Sequence, residues 1–542
     1  MNLIGSIASI IIVFLFALLL VAGILLLGAF KKTYRIDKNQ KQHSIRRNFP
    51  VVSRIRYFAE QIAPEIKQYF IDGDHEGKPY SRLDFHLIVR FAKYGKNIIS
   101  LGGKRDYDKP SQFYIRNAFF AKQVTDLEAD QSVLIKTRKY VDDKNERNET
   151  PLDKYKELIC PKKEKMVEAE VKPWLYDDRD AIVVGEHRCR QPMVLKSPIG
   201  MSGMSYGALG DHAITSLSLG LKDAFSFMNT GEGGVSPYHL KGGVDIIAQI
   251  GPAKFGFRNP DGSFSWEELK KKAEIPQIKA FEIKLGQGAK IRGGHVEGSK
   301  VTPEIAGIRG VEPWKTIDSP NRFDEFDDYD SMFDFIEKIR EVSGKPVGIK
   351  IVIGAEDTFH EFVQYMALKK RYPDFLTIDG GEGGTGATYQ AMADSVGLPI
   401  KPALMIAQKI LVRNGIRNRM KVFASGKLFS PDRIAIALAM GADAVLLARG
   451  LMIAVGCIGA EKCASGDCPV GVATHDPKLQ QALVIEEKRY RVTNYITTLR
   501  EELFMLSASA GLTSPSQFEE KHVVFVNQEF RVKNVADLKF SK

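Results

Sequence analysis

The chain has 542 residues, 44% hydrophobic and 26% charged, ordinary for a globular protein and enough for several domains or one large barrel with extensions. Its five cysteines suggest no disulfide framework and point instead to a reducing compartment. The net charge of +11 is no nucleic-acid signal once located, because residues 31–47 carry seven Lys/Arg against Asp37 alone and the rest is spread without a stripe.

Residues 3–30 contain no charge, a run longer than the roughly 20 residues that cross a bilayer core. The run lacks the basic start and short apolar core of a signal peptide. Its basic flank lies on the C-terminal side, so the positive-inside rule places residues 31–542 in the cytoplasm. The expectation is a single-pass membrane anchor over residues 1–30. Residues 31–165 follow as a basic juxtamembrane stretch and an N-terminal extension. That extension alternates short apolar segments with turn-rich ones, such as 142–149, and carries no chemical motif.

From about residue 190 short apolar runs end repeatedly in glycine-rich or polar turns, at 194–200, 225–228, 280–284, 346–353, 375–378, 422–425 and 444–447. Helical patterns intervene at 329–342, 360–370 and 431–440. Strands alternating with helices imply a parallel sheet, and this many units predict an α/β fold, a (β/α)8 TIM barrel, over residues 166–510. In such a barrel the functional residues collect at the C-terminal strand ends, where the glycine-rich turns fall. No segment has the strand, glycine, helix and acid order of a Rossmann fingerprint. A charged helical pattern at 486–506 and a peripheral tail, 511–542, complete the chain.

The last two strand-end turns, Ser425-Gly426-Lys427 and Ala448-Arg449-Gly450, sit where barrels commonly bind phosphate, and a flavin phosphate suits them. Lys350 ends a strand inside the mouth, where burying an unpaired ammonium is costly; it would place a cation beside a reduced flavin ring. Lys290, Arg292 and Arg309 form a second cationic set, with Glu232 and Lys284 beside it, suited to a dicarboxylate. Cys457, Cys463 and Cys468 lie within twelve residues, spaced C-x5-C-x4-C and followed by Pro469. Three thiolates on one glycine-rich loop fit a three-iron cluster by count; structural zinc, which wants four ligands, and simple burial are the alternatives. Cys160 and Cys189 stand apart and read as buried or incidental.

Five ordered segments now carry a family resemblance: 204–209 (MSYGAL), 229–234 (NTGEGG), 282–290 (EIKLGQGAK), 383–387 (GGTGA) and 456–474 with its three cysteines. The chain resembles the FMN-binding synthase domain of glutamate synthase, and as a whole the short, membrane-anchored large-subunit-like members of that family. The resemblance implies a barrel that binds FMN and a [3Fe–4S] cluster ligated by Cys457, Cys463 and Cys468. It also implies electrons from ferredoxin or a reductase subunit, and hydride delivery to 2-iminoglutarate, formed from 2-oxoglutarate and ammonia. Carried onto this sequence, Lys290 and Arg309 grip the substrate carboxylates and Glu232 lies near the ammonia entry. Gln287 and Lys350 contact the flavin ring; Gly426, Lys427, Ala448 and Arg449 surround its phosphate. Ser202, Met204, Gly384 and Gly386 complete the flavin-binding set.

The departures from the family pattern shape the expectations too. The glutaminase domain and glycine-repeat helix domain of full glutamate synthases have no counterpart here, so ammonia comes free or from a partner such as a separate glutaminase. The segment 291–298, with Arg292 and His295, replaces the usual glycine- and glutamate-rich loop, and Ser425-Gly426-Lys427 replaces an Asp-Gly-Gly turn. Two other readings therefore stand beside glutamate formation. One is the same chemistry on another 2-oxo acid or amine, such as N-alkylglutamate formation. The other is a non-catalytic flavin/iron–sulfur relay at the membrane.

Overall fold

A computed structural model describes residues 2–104, 112–130, 132–141, 165–288, 290, 293–529 and 531–537. The turn-rich segment 142–149, Cys160 and Arg292 lie outside the described residues. The chain forms two compact units, residues 1–85 and 86–542.

The first unit opens with the helix Asn2–Asn39, which is long and apolar enough to cross a membrane. Phe14, Leu19, Leu25 and Leu26 on it are exposed, as suits a helix whose apolar side chains find no protein core. At its end Asp37 receives Arg54 Nε at 2.9 Å, Arg54 Nη2 at 2.8 Å and the Val51 N–H at 2.9 Å, which ties the following turn to the helix.

The second unit is built on a closed parallel barrel of eight strands. They are β1 (Ile199–Met201), β2 (Phe227–Asn229), β3 (Asp245–Ile250), β4 (Ile278–Lys284), β5 (Val347–Ile351), β6 (Phe375–Asp379), β7 (Lys421–Ser425) and β8 (Ala444–Leu447). Neighbours follow chain order, and β8 returns to β1 through Val445↔Ile199 and Leu447↔Met201. The TIM-barrel expectation holds, with one strand added and one divided. The added strand is β3. Only the four-residue helix Pro237–Leu240 separates it from β2, so the alternation of strand with full helix passes over it. The divided run is 194–200. Met193–Leu195 pairs antiparallel with Ile182–Val184, and Pro198, which has no N–H to give a ladder, separates that hairpin from β1.

The hairpin closes the N-terminal end of the barrel. Ile182, Val184, Met193 and Leu195 share one core with Phe227, Phe375, Phe423 and Ala444 of the strands, and with Trp174, Tyr176 and Phe504 around them. Gly200 and Gly348 make this floor possible, since a Cβ at either would overlap the ring of Phe227 or Phe375. The opposite end is left to polar side chains.

The long helix Ile485–Ser509 lies along the helix Asp211–Asp223, joined by the Arg489–Asp223 ion pair at 2.7 Å and by Thr493 Oγ1 donating to the Gly220 carbonyl at 3.2 Å. His212 meets Leu483, and Arg500 meets Ala224, so both helices run from the open end to the closed one. The tail packs on the extension through an antiparallel pairing of Gln112–Ile115 with Val523–Val526.

Candidate active site

The C-terminal strand ends form the mouth, and Lys350 lies near its centre. It is the fourth residue of β5, its inward position dictated by strand alternation, and it is 3% exposed. Its Nζ sits 3.2 Å from Asp379 Oδ2 at the end of β6 and donates to Ser202 Oγ after β1 at 3.4 Å. Ser202 Oγ in turn lies 3.3 Å from Ser425 Oγ at the end of β7. Asp379 Oδ2 also accepts the Gly288 N–H at 3.0 Å. Burial disfavours the Lys350 ammonium, but the carboxylates of Asp379 and Glu282 outweigh it and raise its pKa, so the side chain stays charged.

Glu282, the first residue of the segment 282–290, is fully buried on β4 with three neutral donors. Asn229 Nδ2 at 2.8 Å and Gln249 Nε2 at 2.6 Å donate to one oxygen, and Thr377 Oγ1 at 2.5 Å to the other. The signal available in the sequence was an acid inside the apolar run Ala280–Ile283, where an unsatisfied charge would be prohibitive.

Beyond the end of β4 a second cluster gathers on Glu232. Lys284 Nζ donates to Glu232 Oε1 at 2.8 Å and to Gln287 Oε1 at 2.8 Å, and Lys290 Nζ donates to the same Glu232 oxygen. Burial pushes the Glu232 carboxyl up, but the two ammonium groups prevail and hold it below the usual carboxylate range. For Lys284 the balance reverses: burial, with Lys290 and Lys350 nearby, overrides Glu232 and brings its pKa down to about 8. A narrow cleft lined by Glu232, Lys284, Lys290, Pro320 and Asn321 opens here.

Arg309 approaches from the helix Pro303–Arg309. Thr302 caps this helix by accepting the Ile305 N–H, Pro303 starts it, and Gly310 ends it in the left-handed region. Arg309 is 4% exposed and stacks over Phe255 at 5.1 Å. Its Nε is buried without a hydrogen-bond partner. Burial lowers its pKa while the Glu232 charge opposes the change, so the two groups share one field. Glu304, one turn earlier, accepts the hydroxyls of Tyr206 and Tyr238. Sequence reasoning passed over these two tyrosines, which no charge pattern marks.

The remaining expected residues divide. Met204 is buried, and its carbonyl faces His239 Nε2 at 3.1 Å. Gly384 lies against the Arg449 guanidinium, where any Cβ would overlap it. Gly426 and Lys427 follow β7 with positive φ of 141° and 49°. Ala448 precedes a helix of six residues, Arg449–Ala454. His295 is exposed on a short antiparallel pairing with Ile317–Asp318, its ring nitrogens 2.7 Å from Asp318 Oδ1 and 3.1 Å from Glu297 Oε1.

Two groups can be tested against this arrangement. A flavin fits: a buried charged lysine, a hydroxyl pair and a glycine loop held open by Arg449 offer donors to an anionic, planar molecule. The cysteine loop fits a thiolate-held cluster by donor chemistry. Cys468 is buried and Cys457 and Cys463 half-buried. Burial raises the thiols of Cys457 and Cys463, with Cys468 adding to both and Arg449 opposing. A Cβ at Gly386 would meet Cys463 Cβ at 3.3 Å, which puts the loop beside the glycine turn after β6. Among the described residues no three His, Cys, Asp or Glu side chains are gathered closely enough to hold a metal ion. The three thiols thus share a neighbourhood without forming a closed ligand set.

Residues 126–513 match the family model described as a conserved region in glutamate synthase. Over 510 residues the chain is 50% identical to the glutamate synthase large subunit-like protein YerD of Bacillus subtilis strain 168, covering 94% of this chain and 95% of that protein. It is 33% identical over 323 residues to an archaeal glutamate synthase (NADPH) of Methanocaldococcus jannaschii, covering 59% of this chain and 60% of that protein. Among solved structures it is similar to a mutant flavocytochrome b2 with pyruvate bound, at 15% identity and a TM-score of 0.39, covering 64% of this chain and 76% of that one.

Proposed function

Because the chain belongs to the glutamate synthase family, we propose that it reductively aminates 2-oxoglutarate, through 2-iminoglutarate, to L-glutamate. The overall change joins 2-oxoglutarate and ammonium, takes up two electrons and two protons, and releases water. Ser202, Met204, Gln287, Lys350, Gly384 and Gly386 would hold FMN, with Gly426, Lys427, Ala448 and Arg449 at its phosphate, and the reduced flavin would supply the hydride. Cys457, Cys463 and Cys468 would hold a [3Fe–4S] cluster, which would supply one-electron transfer from a donor such as ferredoxin or a reductase subunit. Ammonia arrives free or from a partner, and the N-terminal helix anchors the body on the cytoplasmic side of the membrane.

The protein's own residues supply the binding and proton handling. Lys290 and Arg309 take the two carboxylates, and the unpartnered Arg309 Nε supports this assignment. Glu232, kept ionised by its two lysines, lies near the ammonia entry of the same cleft. Lys284, with its pKa brought to about 8, holds at Nζ a proton that it can release near neutrality. The observation that carries the reading is this gathering of Lys284, Lys290 and Arg309 around one carboxylate, across the β4–β5 seam from Lys350.

Anaerobic photoreduction followed by stopped-flow mixing tests it. Mixing with 2-oxoglutarate and ammonium should reoxidise the flavin and yield L-glutamate. Reoxidation by a different 2-oxo acid or amine alone would overturn the substrate. Bleaching with no turnover on any pair would point to a relay. In a separate test, Cys463→Ser should lose the cluster's visible absorbance and keep FMN. Loss of both would make the triplet a folding element.

A further inference from the structure

At the closed end of the barrel, the loop 117–122 presents an apolar surface that the active site does not use. Its backbone is pinned at two points to the end of the helix Ile485–Ser509: the Ala118 N–H donates to the Ser509 carbonyl at 2.9 Å and the Lys122 N–H to the Ala508 carbonyl at 3.0 Å. On one side it continues from the strand Gln112–Ile115, with the Arg116 N–H bonded to the His522 carbonyl at 2.8 Å. On the other, the turn Val124–Asp126 is boxed by Gln123 and Asp126. Between the two pins Phe119 is 100% exposed and Phe120 91%. A tightly held backbone that turns two adjacent phenylalanines wholly outward is not a collapsed surface loop.

A second apolar stretch leaves the same helix nearby. Asn97 bonds Glu502, two turns back from Ser509 and so about 10 Å along the axis; Ile99 and Leu101 beyond it are 89% and 109% exposed. The exposed cations Lys96, Arg116 and Lys122 accompany these side chains. Asp126, Glu501 and Glu519 are exposed acids on the segments that flank them.

We propose that Phe119 and Phe120, with their basic neighbours, enter the headgroup and upper acyl region of the same bilayer that the N-terminal helix crosses. Aromatic rings favour that depth, and Lys and Arg favour the anionic leaflet above it. The chain itself brings this occupant close, because an exposed apolar helix long enough to span a membrane belongs to the same polypeptide. The inference rests on the membrane-anchor part of the proposed function. Its consequence is directional. Ser509 ends the helix at the floor of the barrel, where Phe504 and Ala508 pack against the closing hairpin. With that end on the lipid, the mouth carrying Lys350, Glu232 and the cysteine loop faces the aqueous phase.

The test uses the full chain in nanodiscs containing phosphatidylglycerol, with Phe119→Trp read as a difference from the native background of three tryptophans. The added emission should be blue-shifted, and lipids brominated near the top of the acyl chain should quench it. Emission typical of water with no quenching overturns the proposal. A blue shift that brominated lipid does not quench also overturns it, because a second copy or the chain's own helix would then cover the loop. Phe120→Trp reads the same loop if the first variant does not fold. Alkaline carbonate extraction separates the two levels: release of the protein defeats the anchor reading, whereas retention with an unquenched tryptophan defeats this inference alone.

Discussion

Lys284 and Lys350 face each other in register across the seam between β4 and β5, and burial is nearly equal for the two, at 4% and 3% exposure. Their electrostatic fates are opposite. Lys350 has two carboxylates, Asp379 and Glu282, against one burial penalty, and its pKa rises. Lys284 shares its one carboxylate with Lys290 and feels two neighbouring ammonium groups, and its pKa falls. Burial alone therefore decides nothing here; the local count of charges does. The β5 side sets Lys350 against Asp379 and Glu282, an excess of one negative charge. The β4 side holds Lys284, Lys290 and Arg309 against Glu232, an excess of two positive charges. A dianionic 2-oxo acid brings the complement that this half lacks, which is why the proposal seats the substrate there and the flavin ring over Lys350.

The comparison breaks most violently at Glu232. Glu232→Ala leaves Lys284 and Lys290 buried with no anion, and should cost about 3–5 kcal/mol in urea unfolding at neutral pH. A loss below about 1 kcal/mol would mean that water, not Glu232, solvates the two lysines. Lys350→Met probes the other half. Turnover should fall on the order of 100-fold if the ammonium stabilises developing negative charge. The variant also leaves Asp379 buried beside one N–H, so stability drops with it. Adding Asp379→Asn should restore the unfolding midpoint and leave turnover low, a non-additive pair. If the double variant recovers turnover as well, the cation is structural and the flavin assignment loses its main support.

The sequence showed the parts of both halves better than their pairing. Seven barrel strands were legible because β-branched and apolar runs buried on both faces end abruptly in glycine. β3 was not, because a four-residue helix replaces the usual crossover before it. Lys350 is legible as a charge at a strand end, where burial forces a role on it, whereas Lys290 and Arg309 are legible only as members of a cationic set suited to carboxylates. That Lys284 and Lys290 would share a single oxygen of Glu232 was invisible, since the loops after β2 and β4 must meet to make it so. Glu282 escaped notice for a related reason. Its satisfaction depends on Asn229, Gln249 and Thr377, each neutral and each on a different strand. His295 shows the converse: a ligand-like residue beside Lys290 in sequence is taken by the surface carboxylates Asp318 and Glu297 in space.

The smallest effect is also the most discriminating. Lys284 has an ordinary value of 10.5 and a folded value of about 8. Between these values the unfolded chain binds a proton that the folded chain has released, so this residue makes stability rise with pH across that window. The full shift amounts to no more than about 3 kcal/mol. Lys350 works the other way: its contribution is present below 10.5 and is lost only as pH climbs through its higher folded value, so it adds no slope here. Urea midpoints at pH 8 and pH 10 should therefore separate the two lysines. Wild type should gain about 2 kcal/mol relative to Lys284→Met, whereas Lys350→Met should keep most of that slope, losing only the part that the Lys350 charge adds to the Lys284 shift. Equal slopes in wild type and Lys284→Met would mean that Lys284 stays charged at both values. The same titration reaches the substrate, because loss of one proton above pH 8 cuts the excess charge of the β4 side from two to one. Binding of 2-oxoglutarate should weaken above pH 8 in wild type. In Lys284→Met it should be weaker throughout and flat across that step.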